Sequence, residues 1–275
     1  MNATAHETKP APFPVRRMDF DFSGLEKYWY DGQPGMTFFW SLMSALFPDG
    51  EQFFIDSVLN VRDRITDPAQ QKILSAFIGQ EAMHRKEHGA YNRYMTEHFG
   101  VDLESIERTN KRALARFKAR TSPAEQLALT AAAEHFTAIM AKHFMKDDRF
   151  FADIRDERVR KMLYWHAIEE SEHKAVVFDV LKSVDDSYRL RAGAMVWATA
   201  FLFSAIGILS VRLMRADGQL YNWKSWRHYA RTLLGRKGFF TSMLGDYLDY
   251  YRPDFHPSDH DTRASERVWK ERLSL

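Results

Sequence analysis

The chain has 275 residues, 45% of them hydrophobic, enough for a sizeable core in one large domain or two small ones. It contains no cysteine, which excludes disulfides, thiolate zinc sites, iron–sulfur clusters and a cysteine nucleophile, and leaves Glu, Asp and His as the metal donors. Its 39 basic and 37 acidic side chains lie along the chain without a long block of either sign, which argues against nucleic acid as a partner.

Residues 1–20 hold prolines and polar residues and no apolar run of the length a secretory signal needs, so they read as an extended lead-in to a cytoplasmic protein. Glycine and proline then fall mostly between periodic segments, which predicts an all-α chain. The first helix is expected over residues 36–65, with Phe47-Pro48-Asp49-Gly50 as a break or kink that leaves Glu51 near a helix start. Asp67-Pro68 opens a second helix carrying Ile73, Leu74, Phe77, Ile78, Glu81, His84 and His88, which stops at Gly100. A charged helix follows over 103–120. Ser122-Pro123 opens another with Leu127, Thr130, Ala131, Glu134, Ala138 and Ala141 on one stripe, and a further helix is expected over 156–183.

Beyond 186 the character changes. No charged residue occurs from Ala192 to Val211, and Arg189, Arg191, Arg212 and Arg215 flank that stretch. It is long enough to span a bilayer, but glycines, serines and a threonine make insertion marginal. A buried bundle helix or a homodimer helix is the preferred expectation, and membrane contact the alternative. The organisation expected is thus a lead-in (1–20), a helical bundle (21–185), additional helices packed on it (186–255) and a polar tail (256–275).

Chemistry enters through spacing. In four-helix dimetal carboxylate proteins two helices each give one inward Glu and two others each give Glu-x-x-His, because positions i and i+3 share a helix face. Here Glu51 precedes Glu81-Ala-Met-His84, and Glu134 precedes Glu170-Ser-Glu-His173. Sixteen Glu and eleven His would yield about 0.6 such pairs by chance, so the alternating order and the apolar stripes around Glu81 and Glu134 carry the argument. A carboxylate on such a stripe is costly unless a cation compensates it. His88, two turns after Glu81, and His166, one turn before Glu170, are candidates for a further nitrogen ligand or a hydrogen-bond donor behind the ligands. Glu169 and Glu172 are turned away from Glu170 and are expected to face other surroundings, and His135 is not expected to be a ligand.

The phrases Phe47-Pro-Asp-Gly-Glu51-Gln-Phe-Phe54, Phe77-Ile-Gly-Gln-Glu81-Ala-Met-His84, Tyr91-Asn92 and Arg252-Pro-Asp-Phe-His-Pro257 resemble the bacterial family called predicted metal-dependent hydrolases. The similarity runs over nearly the whole chain after Phe13. With the ligand pattern it implies a ferritin-like four-helix bundle with additional C-terminal helices. The donor set, four Glu and two His, suits two ions of iron or manganese. Three functions follow as expectations: dioxygen-dependent oxidation of a small or apolar organic substrate, hydrolysis by a metal-bridging water, or metal binding without turnover.

Overall fold

The computed structural model describes residues 13–275, all of whose regular elements are helical. The first twelve residues of the lead-in lie outside the described residues. Twelve α-helices follow one another. They are α1 (Pro34–Leu59), α2 (Pro68–Phe99), α3 (Leu103–Lys118), α4 (Pro123–Lys146), α5 (Arg149–Ala152), α6 (Glu157–His173), α7 (Val176–Val184), α8 (Tyr188–Ala216), α9 (Trp223–Leu234), α10 (Phe239–Ser242), α11 (Leu244–Asp249) and α12 (Arg263–Leu273). The chain is all-α.

Local chemistry sets the helix ends. Asp67 accepts the Ala69 amide ahead of Pro68, and Gly100 closes α2 in the left-handed region at φ 65°, where a side chain would be strained. Ser122 and Glu125 form a reciprocal capping box before α4, and Asp156 accepts the Arg158 and Val159 amides at the start of α6.

The expected break before Glu51 does not occur. α1 runs through Pro48 without interruption, so Glu51 sits well inside a long helix. Proline cannot donate to the carbonyl four residues earlier, that of Ser44, and Asn92 Nδ2 on α2 takes that carbonyl at 3.1 Å instead. The neighbouring helix supplies the hydrogen bond the proline removes. The helix expected over 156–183 is likewise two, α6 and α7, parted at Lys174 and Ala175 directly after His173.

α1 packs along α2 and α4 along α6, while α1 against α4 and α2 against α6 close a ring of four. This arrangement is compatible with a ferritin-like bundle. Ser57 Oγ on α1 and Thr130 Oγ1 on α4 join across it at 2.8 Å. Around the ring, α8 lies on α1 and α4, α9 on α1, and α12 on α6 and α4. Residues 256–275, read as a polar tail, instead end in α12. Its Trp269 is buried, stacks on Tyr164 and donates to the Met145 carbonyl at 2.9 Å.

The segment 13–33 has no helix, yet it is tied down. Val15 sits so close to Gly79 that a β-carbon there would lie 2.6 Å from it. Gln80 donates to the Pro14 carbonyl, and the Asp19 and Phe20 amides donate to Glu87. This strap runs along α2. The phrase Arg252 to Pro257 is a second fastening. Buried Arg191 donates to the Tyr250 and Arg252 carbonyls, Phe255 packs on His135 and Phe178, and His256 reaches Asp179 at 2.8 Å.

Candidate metal centre

Each helix of the ring sends its expected residue inward. α1 brings Glu51, α2 brings Glu81 and His84, α4 brings Glu134, and α6 brings Glu170 and His173, every one of them buried. The i,i+3 spacing puts both members of each Glu-x-x-His pair on one face, and the antiparallel packing of a bundle turns those faces together.

Glu81 and Glu170 occupy the middle. His84 Nδ1 is 3.9 Å from Glu81 Oε1 and 3.6 Å from Glu170 Oε1, and His173 Nε2 is 3.2 Å from Glu81 Oε1 and 3.9 Å from Glu170 Oε1. Glu134 lies at one end, its Oε2 2.9 Å from His173 Nδ1. Glu51 lies at the other, 3.9 Å from His166 Nε2. His166 Nε2 is also 2.8 Å from Glu170 Oε1, so His166 belongs to the nest. His88 stands behind it, its Nε2 2.6 Å from His166 Nδ1 and its Nδ1 2.9 Å from Ser44 Oγ. Two donor groups span the site, Glu81 with His84, Glu170 and His173, and Glu51 with His88 and His166.

Two further residues escaped the sequence reading. Glu169 does not face other surroundings. It is fully buried, with Oε2 3.1 Å from His84 Nε2 and Oε1 accepting from Trp165 Nε1 and from Arg16. Arg16, on the strap, also grips Glu172 with both terminal nitrogens at 2.8 Å. Arg16, Glu169 and His84 thus stand in line, with the carboxylate placed where carboxylates behind metal-binding histidines stand. No helical periodicity marks Arg16, which lies in extended chain. His135 points away from the nest, at the Asp246 carbonyl at 3.1 Å.

Burial dominates the electrostatics. It pushes Glu51 and Glu81 well above the usual carboxylate range, and the neighbouring glutamates push them further. Glu134 is raised by burial to about 7, although His173 beside it opposes the shift. Of the four ring glutamates Glu170 is the one lowered: against the cost of burial, His173 and His166 favour its charge. Burial depresses His84 and His88 well below the ordinary histidine value, with His166 adding to it, whereas Glu134 and Glu170 overcome burial at His173 and lift it to about 9.

The donor atoms themselves supply the fit test for metal. Both oxygens of Glu51 and of Glu81, Oε1 of Glu134, Oε2 of Glu170, Nδ1 of His84 and Nε2 of His173 are sealed from solvent with no hydrogen-bond partner. Buried polar atoms are ordinarily satisfied, and eight such oxygen and nitrogen atoms converging in one place match hard cations. A second group, Asp246, Asp249 and His260, lies outside the ring, and its Asp246 is already paired with Lys142 at 2.8 Å and His143 at 3.0 Å.

Fold and site together define an all-helical protein with a buried carboxylate and histidine nest able to hold metal. The model of one family, described as predicted metal-dependent hydrolase, matches residues 14–261, and the chain belongs to that family. No curated protein and no solved structure matches it.

Proposed function

We propose that the chain is a dinuclear enzyme whose iron or manganese pair is held by Glu51, Glu81, His84, Glu134, Glu170 and His173, with His166 as a further nitrogen donor, and that it oxidises a small apolar substrate with dioxygen. The observation that carries this reading is the set of four glutamates, each wholly enclosed, six of whose oxygens have no partner. Two divalent cations balance four carboxylates, whereas one leaves two negative charges uncompensated in an apolar interior. An oxygen-rich set with a few imidazoles suits iron or manganese better than zinc. When bound, a redox-active pair supplies electrons to dioxygen, and a redox-inert pair supplies Lewis acidity toward water.

The chain's own residues favour an apolar substrate. Phe47 packs on His88 and His166 with ring centroids 4.7 Å from each, and Phe77 lies 5.0 Å from His173. These rings keep water from the donors and offer contacts to hydrocarbon. The second reading, hydrolysis, is favoured by the family's description. One experiment separates the two. Protein loaded with ferrous iron without air and then mixed with oxygenated buffer is expected to consume dioxygen and develop ferric absorption. Iron that stays ferrous in air, with metal-dependent cleavage of an ester or phosphoester, establishes the hydrolase instead.

A further inference from the structure

α8 has two unlike sides. Arg191, Met195, Ala198, Ile206, Ser210, Leu213 and Met214 are buried on the side that packs on α1 and α4. The opposite row shows Val196 (59% exposed), Trp197 (43%), Phe203 (40%), Ile208 (69%) and Val211 (48%). Over its most hydrophobic stretch, of mean hydropathy 2.0, only 22% is buried. The row from Val196 to Val211 is about 22 Å long at 1.5 Å per residue. Leu244 and Leu248, each 54% exposed, extend it sideways, since Tyr247 beside them bonds Thr199 of α8 at 2.9 Å. Contiguous apolar surface on this scale marks an interaction site.

Charge identifies the occupant. Residues 187–245 carry nine basic side chains against one acid, Asp217, although the whole chain has an excess of only two. The remainder of the protein is therefore net acidic. Asp217 is itself tied to Lys27 and Tyr28. Arg189, Arg215, Lys224, Arg227, Arg231, Arg236 and Lys237 are all exposed. The helix flanking α8 adds to the excess. α3 lies antiparallel beside α8, with Asp102 on Arg212 at one end and Phe117 on Trp197 at the other, and Arg108, Lys111, Arg112 and Arg116 project from it into solvent. Two copies of so basic a surface repel each other, whereas an anionic lipid surface complements it. Tyr221 (78% exposed) and Trp223 (72%) add the aromatic side chains that favour the level of lipid headgroups.

We propose that the outer face of α8, with α9 and α11, seats the protein on the surface of an anionic bilayer. The helix lies in the plane of the interface and does not cross the membrane, because its inner side is built into the ring and a crossing would carry the Arg212–Asp102 pair and the charged α3 into hydrocarbon.

Flotation of the full metal-loaded protein with vesicles tests this. Vesicles of phosphatidylglycerol and phosphatidylcholine in equal parts should carry the protein upward, and vesicles of phosphatidylcholine alone should not. The double substitution Val196→Glu/Ile208→Glu, at exposed positions, should weaken flotation at least about tenfold with helix content and metal content unchanged. Lys224→Glu/Arg227→Glu leaves the apolar row intact and should weaken it by about fivefold or more per charge, with most of the binding lost as salt rises. Absence of flotation with anionic vesicles overturns the proposal. So does a lipid-free dimer that Val196→Glu/Ile208→Glu splits into monomers, which assigns the face to a second copy of the chain.

Discussion

The two ends of the nest repeat one motif but are built differently. At the His84 end the imidazole has Glu169 behind it and Arg16 and Trp165 behind Glu169, and its ring stacks on His166 with centroids 4.1 Å apart. At the His173 end the imidazole meets Glu134 directly, and its ring is flanked by Phe77 and Phe13. One end is rich in nitrogen and backed by polar groups, and the other is walled by aromatic rings. The opposite directions of the two histidine shifts follow from this. Repetition of one spacing therefore does not make the two ends equivalent, because the residues behind the candidate donors differ.

The largest effect should come from the shared middle. Glu81→Ala or Glu170→Ala is expected to take metal content from about two ions per chain to below about a half, measured by elemental analysis of folded protein. Full occupancy in both variants refutes the ligand assignment. Next in size are the end ligands: Glu51→Ala and Glu134→Ala should each remove about one ion and leave the other. If either strips both ions, the ends do not act separately.

Behind the ligands the effect is smaller and one-sided. Glu169→Gln or Arg16→Ala should weaken one of two metal-binding steps by about 10- to 100-fold. Metal titration followed by calorimetry resolves the steps, and an equal loss in both shows that Arg16 and Glu169 do not distinguish the ends.

Smallest is the pH response of the metal-free protein. His173 is raised in the folded state from 6.5 to about 9, so its contribution to stability is present below 6.5 and is lost as pH rises through 9. Burial raises the carboxyl groups of Glu51, Glu81, Glu134 and Glu169, which lose stability in the same direction as pH rises, whereas His84 and His88, depressed by burial, oppose the slope slightly at its lower edge. Urea unfolding should show a loss on the order of 2 kcal/mol between about pH 7 and pH 9. Glu134→Gln should flatten the slope, and an unchanged slope removes the pairing of Glu134 with His173 as its cause.

The convergence of the nest residues is legible because an i,i+3 pair on an apolar helix stripe puts both side chains on one buried face, and because Glu51 and Glu134 precede those pairs in alternating order. Glu169 departs from the expectation for a physical reason. A rotation of 100° from Glu170 points to solvent only when a helix buries one side, and α6 is covered on a second side by the strap and α12. No break follows at Pro48, where the carbonyl the proline leaves without its amide is taken by Asn92, and that donor lies 44 positions away from the proline. α12 is hidden in the sequence because one buried tryptophan among charged residues leaves little periodic signal.

The strap's hold on Glu87 has a use as a clock. At Asp19, φ is 50°, and this left-handed turn aims the successive Asp19 and Phe20 amides at one buried carboxylate, at 3.1 and 3.0 Å. Amides in a segment without helix ordinarily trade their hydrogens with water quickly, and these two should trade slowly for as long as the strap stays seated. Glu87 lies one turn of α2 beyond His84, while Arg16 of the same strap backs His84 through Glu169. The deuterium uptake of two surface-segment amides thus gives a running record of whether the shell behind His84 is assembled, in the intact protein and without touching a ligand.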